Sequence, residues 1–136
     1  MQKTIEKENY LKTLYKLEEK SQLATVTSLA NHFKVSKSTV SNMIKKLMLM
    51  KLVDSGPYKP ILLTKSGKKT AIKVITKHRL IELYLYEKMQ FELDEVHEIA
   101  EEIEHIKNIK FFKRMQKILG HKNIDPHGTI IPRCEF

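Results

Sequence analysis

Apolar residues return every three or four positions along most of this chain, and the places where that rhythm stops divide it into elements. Ile5, Tyr10, Leu11, Leu14, Tyr15 and Leu17 form such a stripe between Thr4 and about Glu19, which predicts a first helix. Ser21 to Thr25 breaks it. Thr27 stands where it could cap a short helix of Ser28 to Phe33, and Lys34-Val35 makes a tight connection. Ser36 is a good N-cap for a longer helix from Lys37 to about Met50, in which Val40, Met43, Ile44, Leu47 and Met48 keep the period. Two short runs, Leu52-Val53-Asp54 and Pro60-Ile61-Leu62-Leu63, flank the turn residues Ser55-Gly56-Pro57-Tyr58-Lys59 and predict a hairpin.

Helical spacing resumes after Thr64 and runs through Ala71, Ile72, Val74 and Ile75, then through Leu80, Ile81, Leu83, Tyr84 and Leu85, with a break or kink expected near Lys77. Phe91 to Asp94 is a connection, with Asp94 placed to cap a helix from Val96 to Ile106. A further helical stretch follows to Leu119, and Gly120 ends it. The tail from His121, which contains Pro126 and Pro132, reads as a loop or a docking segment.

A short helix, a tight turn and a second helix with a small polar N-terminus make the helix-turn-helix pattern, and the hairpin after it makes a wing. The exposed side of the second helix offers Ser36, Lys37, Ser38, Thr39, Ser41, Asn42 and Lys45. Small hydroxyl and amide groups allow close approach to base edges, while lysine reaches phosphates. Tyr58 and Lys59 at the wing tip are candidates for backbone phosphates; an ordinary exposed turn would look the same. The fold class expected is therefore mainly α, with a winged helix-turn-helix domain over residues 1–70 and an all-helical domain over residues 71–136.

Charge supports this division. The first 70 residues carry 14 Lys against five Asp/Glu, and residues 71–136 carry 11 Lys/Arg against 11 Asp/Glu, so the whole net charge of +9 lies in the first half. That asymmetry points to a polyanion, double-stranded DNA, as partner of the first half, the alternative being a merely lysine-rich soluble protein. The charged N-terminus is unlike a signal peptide and no apolar run approaches the ~18 residues of a membrane helix, so a cytoplasmic protein without a membrane partner is expected. Cys134, the single cysteine, excludes an internal disulfide and any multi-cysteine zinc motif.

The second half carries the candidate chemistry. At about 100° per residue, His97, Glu101, Glu104 and His105 fall within roughly a 100° arc, beside the apolar stripe Val96, Ile99, Ala100, Ile103 and Ile106. His78 and Glu82 stand four apart and share a helix face. Together with His97 they could supply three ligands to one metal ion, and Glu101, Glu104 and His105 three to a neighbouring one. Imidazole with carboxylate suits Mn2+ or Fe2+, with Zn2+, Co2+, Ni2+ or Cd2+ as substitutes. A solvated acidic face with incidental histidines is the bland alternative. His32 reads as packed or exposed, and His121 as solvated.

The chain resembles the iron- and manganese-dependent repressor family, typified by the diphtheria toxin repressor and the manganese transport regulator. The resemblance runs from about Thr4 to Pro132. It rests on Tyr10-Leu11-x-x-x-Tyr15, on Val35-Ser36-x-Ser38-Thr39-Val40-Ser41 and on Leu63-Thr64-x-x-Gly67. It rests also on His78-Arg79-Leu80-x-Glu82, on Val96-His97-x-x-Ala100-Glu101-x-x-Glu104-His105 and on Asp125-Pro126-His127-Gly128. It implies a homodimeric repressor whose affinity for palindromic operator DNA rises when metal binds, controlling metal-uptake genes, with the second domain serving metal binding and dimerisation. It also implies one site at His78, Glu82 and His97, and another at Glu101, Glu104 and His105 with a first-helix ligand. The chain departs from the pattern in that this first-helix position, Asp or Met in relatives, is Asn9, and the carboxylate one turn on is Lys12. The family's Cys-Pro-His-Gly is here Asp125-Pro126-His127-Gly128, so Asp125 and His127 are further candidate ligands. A two-domain form without the SH3-like third domain is expected.

Three function classes compete. A metal-sensing repressor leads; a winged-helix regulator indifferent to metal is the alternative. A metallohydrolase would need His/Glu clusters of this kind, yet the chain has no His-Glu-x-x-His and no Gly-rich phosphate loop. No catalytic residue is assigned, and neither enzymatic activity nor a small organic substrate is expected.

Overall fold

The computed structural model describes residues 2–134 and 136. Its contacts divide into two compact units, residues 1–71 and residues 72–136.

The first unit holds α1 (Gln2–Glu19), α2 (Val26–Phe33), α3 (Lys37–Leu49), β1 (Val53–Gly56), β2 (Lys59–Leu63) and the start of α4 (Lys65–Lys88). The predicted apolar stripes meet in one core: Tyr10, Leu11 and Leu14 of α1, Leu29 and Ala30 of α2, Val40, Ile44 and Leu47 of α3, and Val53, Ile61 and Leu63 of the wing. The rings of Tyr10 and Phe33 stack at 4.4 Å. The hairpin pairs Val53 with Leu63 and Gly56 with Lys59, with an irregularity at Ser55 between them. Ala24 bridges to Ile61, which adds a third short edge to the wing.

The cap of α2 is Thr25 rather than Thr27. Thr25 and Ser28 form a reciprocal box, in which the Thr25 hydroxyl accepts from Ser28 N at 3.0 Å and Ser28 Oγ accepts from Thr25 N at 2.9 Å. Two orphan N–H groups are satisfied this way, whereas a cap at Thr27 would leave the earlier ones open. Ser36 caps α3 as expected, accepting from Thr39 N at 3.1 Å. Thr64 caps α4, accepting from Gly67 N at 3.0 Å and donating to Lys51 O at 2.7 Å.

α4 runs unbroken through Lys77 for 24 residues. It contains no proline, and its one glycine, Gly67, lies in the first turn, so nothing interrupts the ladder at Lys77.

In the second unit α4 packs with α5 (Val96–Ile103), α6 (Ile109–Ile118) and the tail around Leu80, Ile81, Leu83, Leu85, Val96, Ala100, Phe112, Met115, Leu119 and Ile131. α5 ends at Ile103, short of Ile106, and Asn108 starts α6 by accepting from Lys110 N at 3.0 Å. Asparagine side chains compete for local N–H groups, which breaks a pattern that apolar spacing alone reads as nearly continuous. Asp94 does not cap α5: Glu95 holds the cap position with no side-chain cap bond, its carboxylate accepting from Glu92 N at 3.0 Å.

The tail docks. Ile124 and Ile130 form an antiparallel bridge around a turn, and Ile131 is buried. Among the described residues no helix is long and apolar enough to cross a membrane.

Candidate functional site

α4 carries His78, Arg79 and Glu82 on its buried side, and Thr76 beside them. Four polar side chains inside one helix's contact surface require partners, and each has one. Arg79 Nη1 donates to Ile130 O at 2.7 Å, and Thr76 Oγ1 to Pro132 O at 3.2 Å. These two bonds hold the tail against α4. Neither residue was singled out as functional from its spacing; a polar pair flanking His78 in a helix otherwise rich in apolar residues was the signal.

The turn after the bridge is built by Asp125. Its Oδ1 accepts from His127 N at 2.9 Å and from Thr129 N at 2.8 Å, so the buried carboxylate sets the backbone that presents His127. His127 Nδ1 then lies 3.5 Å from Glu82 Oε2.

His78 is 1% exposed and has polar neighbours on both sides of its ring. Nδ1 lies 2.5 Å from Glu104 Oε2. Nε2 lies 3.1 Å from Glu82 Oε1 and 3.2 Å from His97 Nδ1. His97, half-exposed, reaches Glu101 Oε1 with its other nitrogen at 3.0 Å. Glu82 Oε2 is buried without a hydrogen-bond partner, although His97 Nδ1 stands 3.7 Å away.

Two sets of donors converge closely enough to hold an ion: His78, Glu82 and His97, and Glu82, Asp125 and His127. They share Glu82. Glu101, Glu104 and His105 do not form such a group among the described residues. Glu104 is fully buried and its Oε1 lies 3.4 Å from His105 Nε2. Asn9 lies in α1, in the first unit, and is half-buried.

The electrostatics follow from burial and pairing. Burial works to lower the His78 pKa, but the hydrogen bonds and charges of Glu104 and Glu82 outweigh it and raise it above the ordinary imidazole value. For Glu82 burial pushes upward, and the hydrogen bond and charge of His78, with His127 and His97, hold the carboxyl below the usual range.

In the first unit Ser36, Lys37, Ser38, Thr39, Asn42 and Lys45 are exposed and Ser41 is half-buried. The Ser36 hydroxyl is engaged at home, 2.8 Å from Thr39 Oγ1 and 3.1 Å from Ser38 Oγ. Tyr58 at the wing tip is fully exposed, on a backbone of φ 59°, with Lys59 exposed beside it.

Residues 3–61 match the model of the iron dependent repressor N-terminal DNA binding domain, and residues 64–133 that of its metal binding and dimerisation domain. The diphtheria toxin repressor of Corynebacterium glutamicum is 30% identical over 125 residues, covering 92% of this chain and 55% of that protein. The solved structure of the manganese regulator SloR is 39% identical, with a TM-score of 0.81 over 93% of this chain and 59% of that one. That of a manganese-dependent transcriptional repressor in complex with manganese is 37% identical, with a TM-score of 0.87 over 93% and 58%. The chain thus spans little more than half the length of these relatives.

Proposed function

The chain belongs to the iron-dependent repressor family, and on that footing we propose that it is a Mn2+- or Fe2+-dependent repressor that binds palindromic operator DNA as a homodimer and controls metal-uptake genes. The first unit acts as the DNA-binding domain and the second as the metal-binding and dimerisation domain.

The observation that carries this reading is the orphaned Glu82 oxygen. A buried acceptor without a donor costs about 1–3 kcal/mol, and a native core rarely keeps one. Glu82 Oε2 faces imidazole nitrogens at 3.5 and 3.7 Å, too far for hydrogen bonds. A cation among these donors removes the cost. The donor set fits the group: imidazole nitrogen and carboxylate oxygen without thiolate. His78, Glu82 and His97 would hold the ion, with Asp125 and His127 on the same Glu82 carboxylate. Bound there, a divalent cation supplies positive charge to a buried carboxylate that the imidazoles alone leave unsatisfied.

The protein's own groups do the rest. Thr76 and Arg79 hold the tail so that Asp125 and His127 remain beside Glu82. α4 begins directly after the wing and carries His78 and Glu82 in its second half, so the centre grips a helix continuous with the DNA-binding unit. In that unit Lys37 and Lys45 serve phosphates, as do Tyr58 and Lys59 at the wing. Ser38, Thr39, Ser41 and Asn42 serve base edges, while Ser36 acts through its cap on their arrangement. The exposed apolar residues Ile106, Ile109, Phe111 and Ile118 support a two-fold dimer through the second unit, which sets half-sites one DNA turn apart or a multiple of it.

Metal favours the DNA-competent state only through its differential affinity, typically ~1–3 kcal/mol for coupled sites, and DNA must tighten metal binding by the same factor. The test is binding to DNA fragments selected from a random duplex pool, measured in Mn2+ and in chelator. Mn2+ is expected to tighten binding 5- to 150-fold or about that. Equal affinity in chelator and in Mn2+ would overturn the reading in favour of a metal-independent winged-helix regulator.

A further inference from the structure

We propose that Thr64 is a positioning residue for DNA recognition: its hydroxyl and backbone N–H clasp the two carbonyls that end α3 and so tie the seating of the base-reading helix to α4. The inference rests on the reading above, in which α3 contacts bases and α4 carries the metal ligands His78 and Glu82.

The end of α3 is held in place by its bonds rather than by residue preference. Lys51 follows the C-cap Met50 with a φ of 60°, in the left-handed region that residues other than glycine rarely adopt. Two bonds close the helix around it: Lys51 N donates to Met48 O and Leu52 N to Leu47 O, each at 2.9 Å. This pairing satisfies two of the carbonyls that a helix end leaves open, and it leaves the carbonyls of Lys51 and Leu52 outside the helical ladder.

Thr64 takes both. Its Oγ1 donates to Lys51 O at 2.7 Å and its N to Leu52 O at 3.0 Å. The same hydroxyl accepts from Gly67 N at 3.0 Å, in the first turn of α4. One side chain therefore gives its proton to the end of α3 and accepts at the start of α4. Gly67 permits the approach, since a Cβ there would lie 1.8 Å from Leu52 O. α1 also reaches the joint: Glu18 Oε1 accepts from Leu63 N at 3.1 Å, and its Oε2 lies 3.5 Å from Lys68 Nζ.

A helix cap alone does not need this arrangement. Aspartate caps a helix as well as threonine does, but a carboxylate has no proton to give to Lys51 O. The hydroxyl joins two helices where a cap would serve one. α4 then runs unbroken to His78, about 20 Å along its axis at 1.5 Å per residue. A rigid helix fastened to the end of α3 and carrying ligands further along is a physical path from the metal centre to the base-reading surface.

The test uses the whole chain and three substitutions. Thr64→Val removes the hydroxyl, Thr64→Asp keeps an acceptor for Gly67 N without a donor for Lys51 O, and Thr64→Ser keeps both. Affinity for selected and for random duplex is measured in Mn2+ and in chelator, and calorimetry follows Mn2+ binding to the DNA-free protein. Thr64→Val and Thr64→Asp are each expected to lower the selected-to-random affinity ratio in Mn2+ by about 5-fold or more, the size of one lost base contact. Both should also shrink the Mn2+-to-chelator ratio toward unity, while Thr64→Ser keeps the wild-type ratios. Mn2+ affinity without DNA should stay at the wild-type value. A merely structural role would not move the selected-to-random ratio, because a smaller folded fraction lowers both affinities by the same factor. Thr64→Asp decides where Thr64→Val fails to fold, since it keeps the cap of α4.

A wild-type selected-to-random ratio in Thr64→Asp overturns the proposal. So does an equal loss in Thr64→Ser, which would trace the effect to the methyl group, and so does weakened Mn2+ binding in the DNA-free variants, which would place the effect at the metal centre. If the wild type binds selected DNA equally in Mn2+ and in chelator, the metal-dependent reading fails, and the selected-to-random ratio decides the clasp by itself.

Discussion

The two units place their candidate functional side chains in opposite ways. In the first, Lys37, Ser38, Thr39, Asn42 and Lys45 stand outside a core of Leu11, Leu14, Leu29, Val40 and Leu47 that contains none of them. In the second, His78, Glu82 and Glu104 are themselves buried, beside Leu80, Val96 and Phe112. Exposed groups can serve a partner without entering a core. Buried groups must satisfy one another, so folding and ligand binding draw on the same contacts. A substitution in the first set should cost recognition alone, and one in the second should cost both.

The largest effect is expected at His78. His78→Ala should abolish the Mn2+ response of DNA binding and also lower the stability of the metal-free protein, by about 3–5 kcal/mol if the buried carboxylates lose their charged partner. Denaturant unfolding without metal, set beside DNA binding across a Mn2+ titration, measures both. A variant that keeps wild-type stability while losing the response would break the comparison, because the cluster would then be separable from the core. Glu104→Ala should weaken the response without removing it.

The same contrast decides what could be read from the chain. The first unit was legible nearly throughout, since each element has a local cause: apolar stripes, Ser36 and Thr64 as caps, and Gly56-Pro57 in the hairpin turn. Its one misplaced cap, Thr25 for Thr27, turned on a reciprocal Thr25–Ser28 pair that two adjacent hydroxyl residues disguise. In the second unit spacing on α5 put Glu101, Glu104 and His105 on a common arc, and a common arc does not say what each atom faces. The partners of Glu104 and of Glu82 come from α4, α5 and the docked tail, which are distant in sequence. For Thr76 and Arg79 the one local signal was their polarity in an otherwise apolar stretch of α4, and that does not say that they hold the tail. The start of α6 at Ile109 depended on Asn108, a single side chain that caps it within an otherwise nearly continuous apolar period.

A second prediction tests whether the first unit is tolerant everywhere or only at its exposed groups. Gly67 is buried in the first turn of α4, and a Cβ there would lie 1.8 Å from Leu52 O. Backbone cannot swing aside as a side chain does, so Gly67→Ala must shift the joint between wing and helix. Overpacking of this kind costs about 1–3 kcal/mol, and a backbone clash falls at the upper end. Thermal unfolding checks it, with Mn2+ affinity of the folded fraction expected to remain near wild type. Wild-type stability in Gly67→Ala would mean that the wing gives way freely.

Smaller again is a pH effect confined to the second unit. His78 has a raised pKa when folded, so its contribution is present below about 6.5 and lost as pH rises through the folded value. Glu82 has a lowered one, so its contribution is present above the ordinary carboxylate range and lost as pH falls through the folded value. Metal-free protein should therefore gain the full benefit of both between about pH 4.5 and 6.5. Urea unfolding of wild type and His78→Gln over a pH series measures the difference, and parallel profiles would remove His78 as its source.

The smallest effects belong to the exposed surface of α3, and they sharpen the contrast by leaving stability unchanged. Asn42→Ala should relax the choice at one base position, by about 1–3 kcal/mol of discrimination, since an amide pairs in two places with adenine. Lys45 has no such geometry. It is an exposed point charge on the α3 side of a unit that carries the chain's whole net positive charge. Neutralising one phosphate releases about one counterion, so Lys45→Ala should lower the slope of log affinity against log salt by about 1. The loss should be similar for selected and random DNA, because a phosphate contact carries no sequence information. Fluorescence anisotropy from low to moderate salt, in saturating Mn2+, separates the two variants. An unchanged salt slope in Lys45→Ala would show that this lysine does not reach the backbone, and a sequence-dependent loss would move it to the base-reading side of α3.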